Sequence, residues 1–296
     1  MKIFEYSPYF NEKKALEIKL REGAKWIDEL HFCEADRTFS YEPKELHFER
    51  DTRPFPEHAA RIRHHVLSSE GSFRSPLAEQ IYYDPSQGLK GFDRGYWALL
   101  TGNGAYHNEA VQRNHALPIL RDAVEDDDIV ILSDLDEILD SRLADRIVEE
   151  TRRHQIITVK LHYSVFYLNL FTASNHGVPN FSYRLYVLTG RYFRTLPFAP
   201  DYLRKRGIEG GFLSEIHCLD EPAGFHHSWL EHERTAFKKL QAFAANVEDQ
   251  SIIDPDYATK CLRDRRLHYL DAELYVDNDK QFLRSLEEMD TTGLWI

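Results

Sequence analysis

The stretch Glu125-Asp126-Asp127-Asp128-Ile129-Val130-Ile131-Leu132-Ser133-Asp134-Leu135-Asp136-Glu137-Ile138-Leu139-Asp140 carries the clearest strand signal in the chain. Ile129 to Leu132 is an unbroken apolar run, the pattern of a strand buried on both faces of a parallel sheet. Asp134, Asp136 and Glu137 follow at once. Residues two apart in an extended segment point to the same side, so Asp134 and Asp136 are expected to present two carboxylates to one point. Two such groups repel unless a cation lies between them. In an open α/β sheet that point is the crevice beyond the carboxyl ends of the strands, where ligands bind. A few hard oxygen donors suit Mg²⁺ or Mn²⁺ that keeps waters and also holds substrate phosphates. The plainer alternative is that one of these acids caps the next helix and the others are solvated. Asp126, Asp127 and Asp128, at the amino end of the strand, read as a solvated turn.

Outward from this strand, the pattern alternates strand and helix. Lys2 to Tyr6 reads as a strand, Asn11 stands at an N-cap position, and Glu12 to Gly23 reads as a helix. Strands are expected at Ile27 to Cys33, ending at Glu34, and at Ile62 to Leu67. A helix over Asn108 to Ala123 is expected to kink or end at Pro118. Beyond the acidic run come a helix from Arg142 to His154, strands within Ile156 to Phe171 and Tyr183 to Leu188, a strand over Gly224 to Leu230 and a helix from Glu231 to Asn246. This order predicts an α/β architecture built on a central, mostly parallel sheet flanked by helices. No repeat or Gly/Ser linker divides the chain, so residues 1–296 are expected to form a single domain.

Composition narrows the function classes. The 296 residues are 42% hydrophobic and 13% aromatic, which excludes general disorder. Forty-nine acids against 37 bases give a net charge of −12, which repels a phosphate backbone and argues against nucleic-acid binding. No apolar run approaches the roughly 20 residues that span a bilayer, and the amino end becomes charged before a signal-peptide core forms, so a cytoplasmic protein is expected. Cys33, Cys218 and Cys261 lack metal-ligand spacing and read as reduced, buried fillers. An aspartyl-phosphate phosphatase also uses Asp-x-Asp after a strand, but carries Thr or Val where this chain has Ile138, and places the motif near the chain start.

Several segments together resemble glycosyltransferase family 17, which includes the β-1,4-mannosyl-glycoprotein N-acetylglucosaminyltransferases. They are Phe10-Asn11-Glu12, the Glu34 to Lys44 loop with Thr38-Phe39 and Pro43-Lys44, and Gln112-Arg113-Asn114. The strongest are Asp134-Leu135-Asp136-Glu137-Ile138, then Gly224-Phe225-His226-His227-Ser228 with Lys239-Leu240 beyond it. The chain departs from the family in having Leu139 where Pro is common and Phe225 where Trp is common, and it is expected to lack the amino-terminal membrane anchor that family members in animals carry. The resemblance implies a GT-A type nucleotide-sugar-binding fold and a metal-dependent, inverting transfer from a donor that is UDP-linked, such as UDP-GlcNAc, to a hydroxyl of a glycan. It implies Mn²⁺ or Mg²⁺ held by Asp136 directly, with Asp134 on metal, metal-bound water or ribose, and His226 as a further metal or phosphate ligand. Imidazole accepts Mn²⁺ more readily than Mg²⁺. Without an anchor, an enzyme of bacterial or viral surface-polysaccharide assembly is expected.

On this reading the donor-binding candidates are Glu12, Glu34, Arg113, Asp134 and Lys239. Arg113 offers a planar fork to a diphosphate, or equally an i,i+4 ion pair to Glu109. Glu34 ends a strand at the crevice, where it faces ribose or simply solvent. Lys239 offsets diphosphate charge or lies on the wet face of its helix. Inversion needs a base for the acceptor hydroxyl; the candidates are Glu215, Asp220 and Glu221, with Glu215 first because Phe212, Leu213 and Ile216 surround it and an apolar setting raises a carboxyl pKa. Two rivals use the same residues: a two-metal phosphohydrolase, and a sugar- or nucleotide-binding module that lacks a base. The acceptor, the linkage and the oligomeric state are not written in the sequence.

Overall fold

The computed structural model describes residues 1–68, 104–196, 199–206, 216–230 and 254–296. In chain order the elements are β1 (Ile3–Tyr9), α1 (Lys13–Gly23), β2 (Glu29–Ala35), α2 (Phe48–Thr52), β3 (Ile62–Leu67), α3 (Gly104–Asn114), α4 (Ala116–Leu120), β4 (Ile129–Leu132) and β5 (Glu137–Leu139). There follow α5 (Ala144–His154), β6 (Ile156–Val165), β7 (Leu170–Ala173), β8 (Phe181–Ser182), β9 (Tyr186–Thr189), α6 (Gly190–Arg194), α7 (Pro200–Arg206), β10 (His217–Ser228), α8 (Tyr257–Asp264), β11 (Arg266–Leu267) and β12 (Ala272–Val276).

The strands form one sheet in the order β11-β12-β7-β6-β9-β4-β1-β2-β3, with β10 joined to β6 and β5, and β8 to β6. The expected α/β architecture is present, and its sheet is mixed. β3, β2, β1 and β4 are parallel. β9 lies antiparallel between β4 and β6, so β6 runs the same way as β4, and β10 pairs parallel with β6. The carboxyl ends of β1, β2, β4, β6 and β10 therefore share one edge, which is what positions the site.

β4 shows why this sheet is buried on both faces. Val130 and Leu132 pack with α3, α4, α6 and α7 residues such as Val111, Leu117, Phe193 and Leu203. Ile129 and Ile131 face the opposite layer, where Leu16 and Leu20 of α1, Phe48 of α2 and Ile147 of α5 cover the sheet. A third cluster closes β6, β7, β12 and α8 together, and a fourth packs Phe225 and Ile138 against the carboxyl-terminal Leu283 and Leu286.

Local differences from the sequence reading have physical causes. Glu12, not Asn11, is the N-cap residue of α1, and its carboxylate turns back to accept from the backbone N–H groups of Phe10 and Asn11, both at 3.3 Å. The helix expected over Asn108 to Ala123 breaks at His115 instead of Pro118. Pro118 sits in the first turn of α4, where its missing N–H has no intrahelical partner to lose. Asp128 is not a solvated turn residue. It is buried and accepts from the backbone N–H of Lys2 at 2.6 Å and of Glu125 at 2.8 Å, tying β1 to β4 at their amino ends. The late strand is β10, which begins seven residues before Gly224. The helix expected over Glu231 to Asn246 lies outside the described residues. Among the described residues no helix is long and apolar enough to cross a membrane, and Cys33, Cys218 and Cys261 are free thiols, of which Cys33 and Cys261 are buried as expected and Cys218, near the start of β10, is only half-buried.

Candidate functional site

After Leu132 the chain does not stay extended. It turns at Leu135 and Asp136, with the Glu137 N–H donating to the Asp134 carbonyl at 3.1 Å, and enters β5. Asp134 and Asp136 are therefore not aligned by strand alternation. Neither caps a helix: the Asp134 backbone N–H is instead satisfied by the Glu137 carboxylate at 2.8 Å.

Three long-range contacts fix this turn. From below, Lys19 of α1 crosses the sheet edge and is almost fully buried. Its ammonium donates to Glu5 at 2.5 Å, to Ser133 Oγ at 2.9 Å and to the Glu137 carbonyl at 2.9 Å. From one side, α3 supplies the Gln112-Arg113-Asn114 run. Gln112 donates to the Cys33 carbonyl at the end of β2, and Asn114 accepts from the Asp201 N–H of α7. Arg113 between them grips Asp134 with Nε at 3.1 Å and Nη2 at 3.0 Å, Asp201 at 2.8 Å and Glu109 at 2.9 Å. From the other side, Arg204 of α7 donates to Asp134 at 2.5 Å and to both oxygens of the fully buried Glu137 at 2.9 and 2.8 Å. Burial alone pushes the Asp134 carboxyl up, but the Arg113 and Arg204 guanidiniums outweigh it and hold the group well below the usual carboxylate range.

β10 brings the second half of the site. Gly224 has φ +154°, and a Cβ there would lie 2.1 Å from the Ile138 carbonyl oxygen, so only glycine lets β10 press against β5. The resulting register sets Phe225 opposite Ile138 and His226 opposite Glu137. His226 Nε2 stands 3.4 Å from Asp136 Oδ1 and 3.0 Å from Ser228 Oγ, and its ring stacks on Tyr163 at 4.8 Å. Its Nδ1 is buried without a hydrogen-bond partner and faces Glu137 Oε1 at 3.9 Å. His227 alternates into the interior, where Nδ1 meets Ser164 Oγ at 2.7 Å; burial and the neighbouring His226 push its pKa down to about 3.

The donor set can be tested against a divalent ion. An oxygen and an imidazole nitrogen 3.4 Å apart match two ligands of one small ion, each at about 2.0–2.2 Å. Asp136 and His226 thus fit as a metal-holding pair. Asp134 does not converge with them: its oxygens are engaged by two arginines, and among the described residues the metal-type trio with donors in mutual reach lies elsewhere in the fold.

The other expected site residues scatter. Glu34 is fully buried and spends its oxygens on Lys44 at 2.7 Å, the His47 N–H at 2.7 Å and the Phe48 N–H at 3.1 Å, with His64 at 3.4 Å. It pins the following loop to the end of β2. Burial raises its pKa, but the His64, His47 and Lys44 contacts prevail and bring it to about 2. Asp220 is exposed, six residues upstream of His226 on β10 and on the order of 15–20 Å away at the strand rise. Glu221 pairs there with Arg146. Glu215 and Lys239 lie outside the described residues.

Beside the turn, a small depression of about 20 Å³, room for about one water, is lined by Tyr6, Arg113, Asp134, Arg184, Tyr186 and Arg204. Sequence reading missed Lys19 and Arg204, and noted Glu137 in the acidic run without a role. Lys19 was detectable, since it falls between Leu16 and Leu20 on the apolar side of α1. Nothing local distinguishes Arg204 from Arg206.

No protein-family model and no curated protein sequence matches the chain. Among solved structures it is similar to residues 1–349 of TarS from S. aureus, at 10% identity and a TM-score of 0.38, covering 90% of this chain and 75% of that one. It is also similar to 4-diphosphocytidyl-2C-methyl-D-erythritol synthase, at 11% identity and a TM-score of 0.31, covering 66% and 78%. A further TarS structure aligns at 11% identity and a TM-score of 0.37 over 84% of this chain and 40% of that one.

Proposed function

We propose that the chain, as one domain over residues 1–296, is a metal-dependent, inverting glycosyltransferase of the GT-A type that moves a sugar from a nucleotide-sugar donor to a glycan hydroxyl. The donor is UDP-linked, as the resemblance to glycosyltransferase family 17 implies. The observation that carries this reading is the meeting of Asp136 and His226 at 3.4 Å on the sheet edge where β1, β2 and β4 end, beside two guanidiniums. In this reading Asp136 and His226 hold the ion, and the nitrogen donor favours Mn²⁺ over Mg²⁺. When bound, a divalent ion there offsets the negative charge of a departing diphosphate.

The chain's own residues then have distinct tasks. Tyr163 stacks on the His226 ring and orients it, while Ser228 Oγ holds Nε2 until an ion takes its place. Glu137, near Nδ1, favours the tautomer that leaves the Nε2 lone pair toward Asp136. Asp134 serves as the hinge between Arg113 and Arg204, setting two planar donor forks at the mouth of the depression, where phosphate oxygens can exchange for carboxylate oxygens. Glu215 is the proposed base; the place of Asp220 along β10 supports it less.

Isothermal titration of UDP, GDP, CDP and ADP, with and without Mn²⁺, tests the proposal. UDP is expected to bind only with Mn²⁺, and Asp136→Ala to abolish that binding while Tm holds. Unchanged binding in Asp136→Ala overturns the metal assignment. Phosphate release without an acceptor favours the phosphohydrolase, and Mn²⁺-dependent binding without turnover across acceptors favours the non-catalytic module.

A further inference from the structure

A second cluster of ligating side chains lies at the opposite end of the sheet. Glu150 and His154 are one turn apart on α5 and share a face. The chain leaves α5 directly into β6, and the parallel register places His217, the first residue of β10, beside Ile157. The helix end and the strand start thus bring three donors together. His154 Nε2 is 3.4 Å and His217 Nε2 is 3.6 Å from Glu150 Oε2, and all three atoms lie within 4.8 Å of one another.

We propose that Glu150, His154 and His217 form a divalent-cation site, with Zn²⁺ as the ion its chemistry suits best. Two imidazoles and one carboxylate are the donor class of three-ligand zinc sites that keep a fourth position open. With Zn–N and Zn–O bonds of about 2.0–2.2 Å, tetrahedral ligands stand about 3.3–3.5 Å apart. The His154 separation of 3.4 Å already has that length, and the His217 separation of 3.6 Å is close to it. The remaining adjustment is angular. The two rings stack at 4.1 Å with 11° between their planes, which sends their lone pairs out in parallel, and an ion draws them together only if the rings tilt. Both side chains are about one-third exposed, at 36% and 35%, so they have room to do so. Arg153 engages the Oε1 oxygen of Glu150 at 3.0 Å and offsets part of its charge, but leaves Oε2 to the imidazoles, and the carbonyl end of α5 adds negative potential. The bound ion would tie α5 to the first residue of β10, on the order of 25–30 Å along the strand from His226.

The test uses the full chain, stripped with EDTA and dialysed, titrated with ZnCl₂ by calorimetry and followed by thermal unfolding. Wild type and Asp136→Ala are compared with His154→Ala and His217→Ala, each checked for folding by circular dichroism; His217→Gln replaces His217→Ala if the latter does not fold. One zinc equivalent that does not depend on Asp136 is expected to bind with Kd below about 10 µM and to raise Tm by about 4 °C at a hundredfold excess over Kd. Asp136→Ala should keep that equivalent, and both histidine variants should lose at least tenfold in affinity. Less than a tenfold loss in either histidine variant, disappearance of the equivalent in Asp136→Ala, or a wild-type Kd weaker than about 100 µM overturns the site.

Discussion

Replacing Lys19 by Met should destabilise the protein severely, although Lys19 touches no candidate ligand-binding atom. Its side chain is 1% exposed and that of its partner Glu5 is 5% exposed. The substitution removes three donations, to Glu5, Ser133 and the Glu137 carbonyl, and leaves a buried carboxylate with the Ser133 hydroxyl as a remaining donor at 2.6 Å. Breaking one side of a buried ion pair costs about 3–5 kcal/mol. An unfolding entropy of about 2.1 cal/mol/K per residue over 296 residues converts this to a Tm loss of about 5–8 °C. The double variant Lys19→Met/Glu5→Leu removes both charges, and Ser133 then keeps Ser7 as a partner at 2.8 Å. It should regain at least half of the loss, because apolar replacement of a whole buried pair is often close to neutral. Urea unfolding of the wild type, both single variants and the double variant closes the cycle. A Lys19→Met loss below about 1 kcal/mol, or a double variant no more stable than Lys19→Met, would refute the claim that this pair supports the acidic turn.

Other outcomes follow from the same contacts. Glu34 has a folded pKa of about 2, below its unfolded value near 4.5, so its ionised form adds stability that is present above about pH 4.5 and fades as pH falls toward 2. Urea unfolding of Glu34→Gln against wild type should show a gap of about 3 kcal/mol at pH 7 that shrinks on acidification; a gap independent of pH would exclude this linkage. The His227 imidazole should not titrate between pH 8 and 4, as read from its ring carbon and nitrogen shifts by NMR. Gly224→Ala forces a Cβ into the Ile138 carbonyl. It should cost about 1–3 kcal/mol or more and abolish Mn²⁺-dependent nucleotide binding together with it, read by thermal unfolding and calorimetry.

Two strands were legible over their full bounds because their signal is local: Ile129–Leu132, an apolar run at the centre of the sheet, and Ile62–Leu67 at its edge. The site was legible only in part. The Gly224 to Ser228 run was singled out, and it does bring His226 to Asp136, through a glycine whose need appears only when β5 is opposite. What stayed hidden is the partner of each charge. Asp134 reads as a free carboxylate until Arg113, 21 residues before it, and Arg204, 70 residues after it, close on it. Asp128 likewise reads as a surface acid until the Lys2 N–H arrives from across the sheet. Charge pairing across such separations is set by the fold and leaves no periodicity to read.

The irregular pairing of β10 with β6 has a dynamic consequence. Their register shifts on both sides of Pro222, where the proline also removes a ladder donor. The half carrying His226 is sandwiched between β5 and β6, whereas the half carrying His217 has, among the described residues, β6 on one side alone. Amide protons near Cys218 should therefore exchange through smaller, cheaper openings than those near Phe225, so that one strand behaves as two separately melting segments.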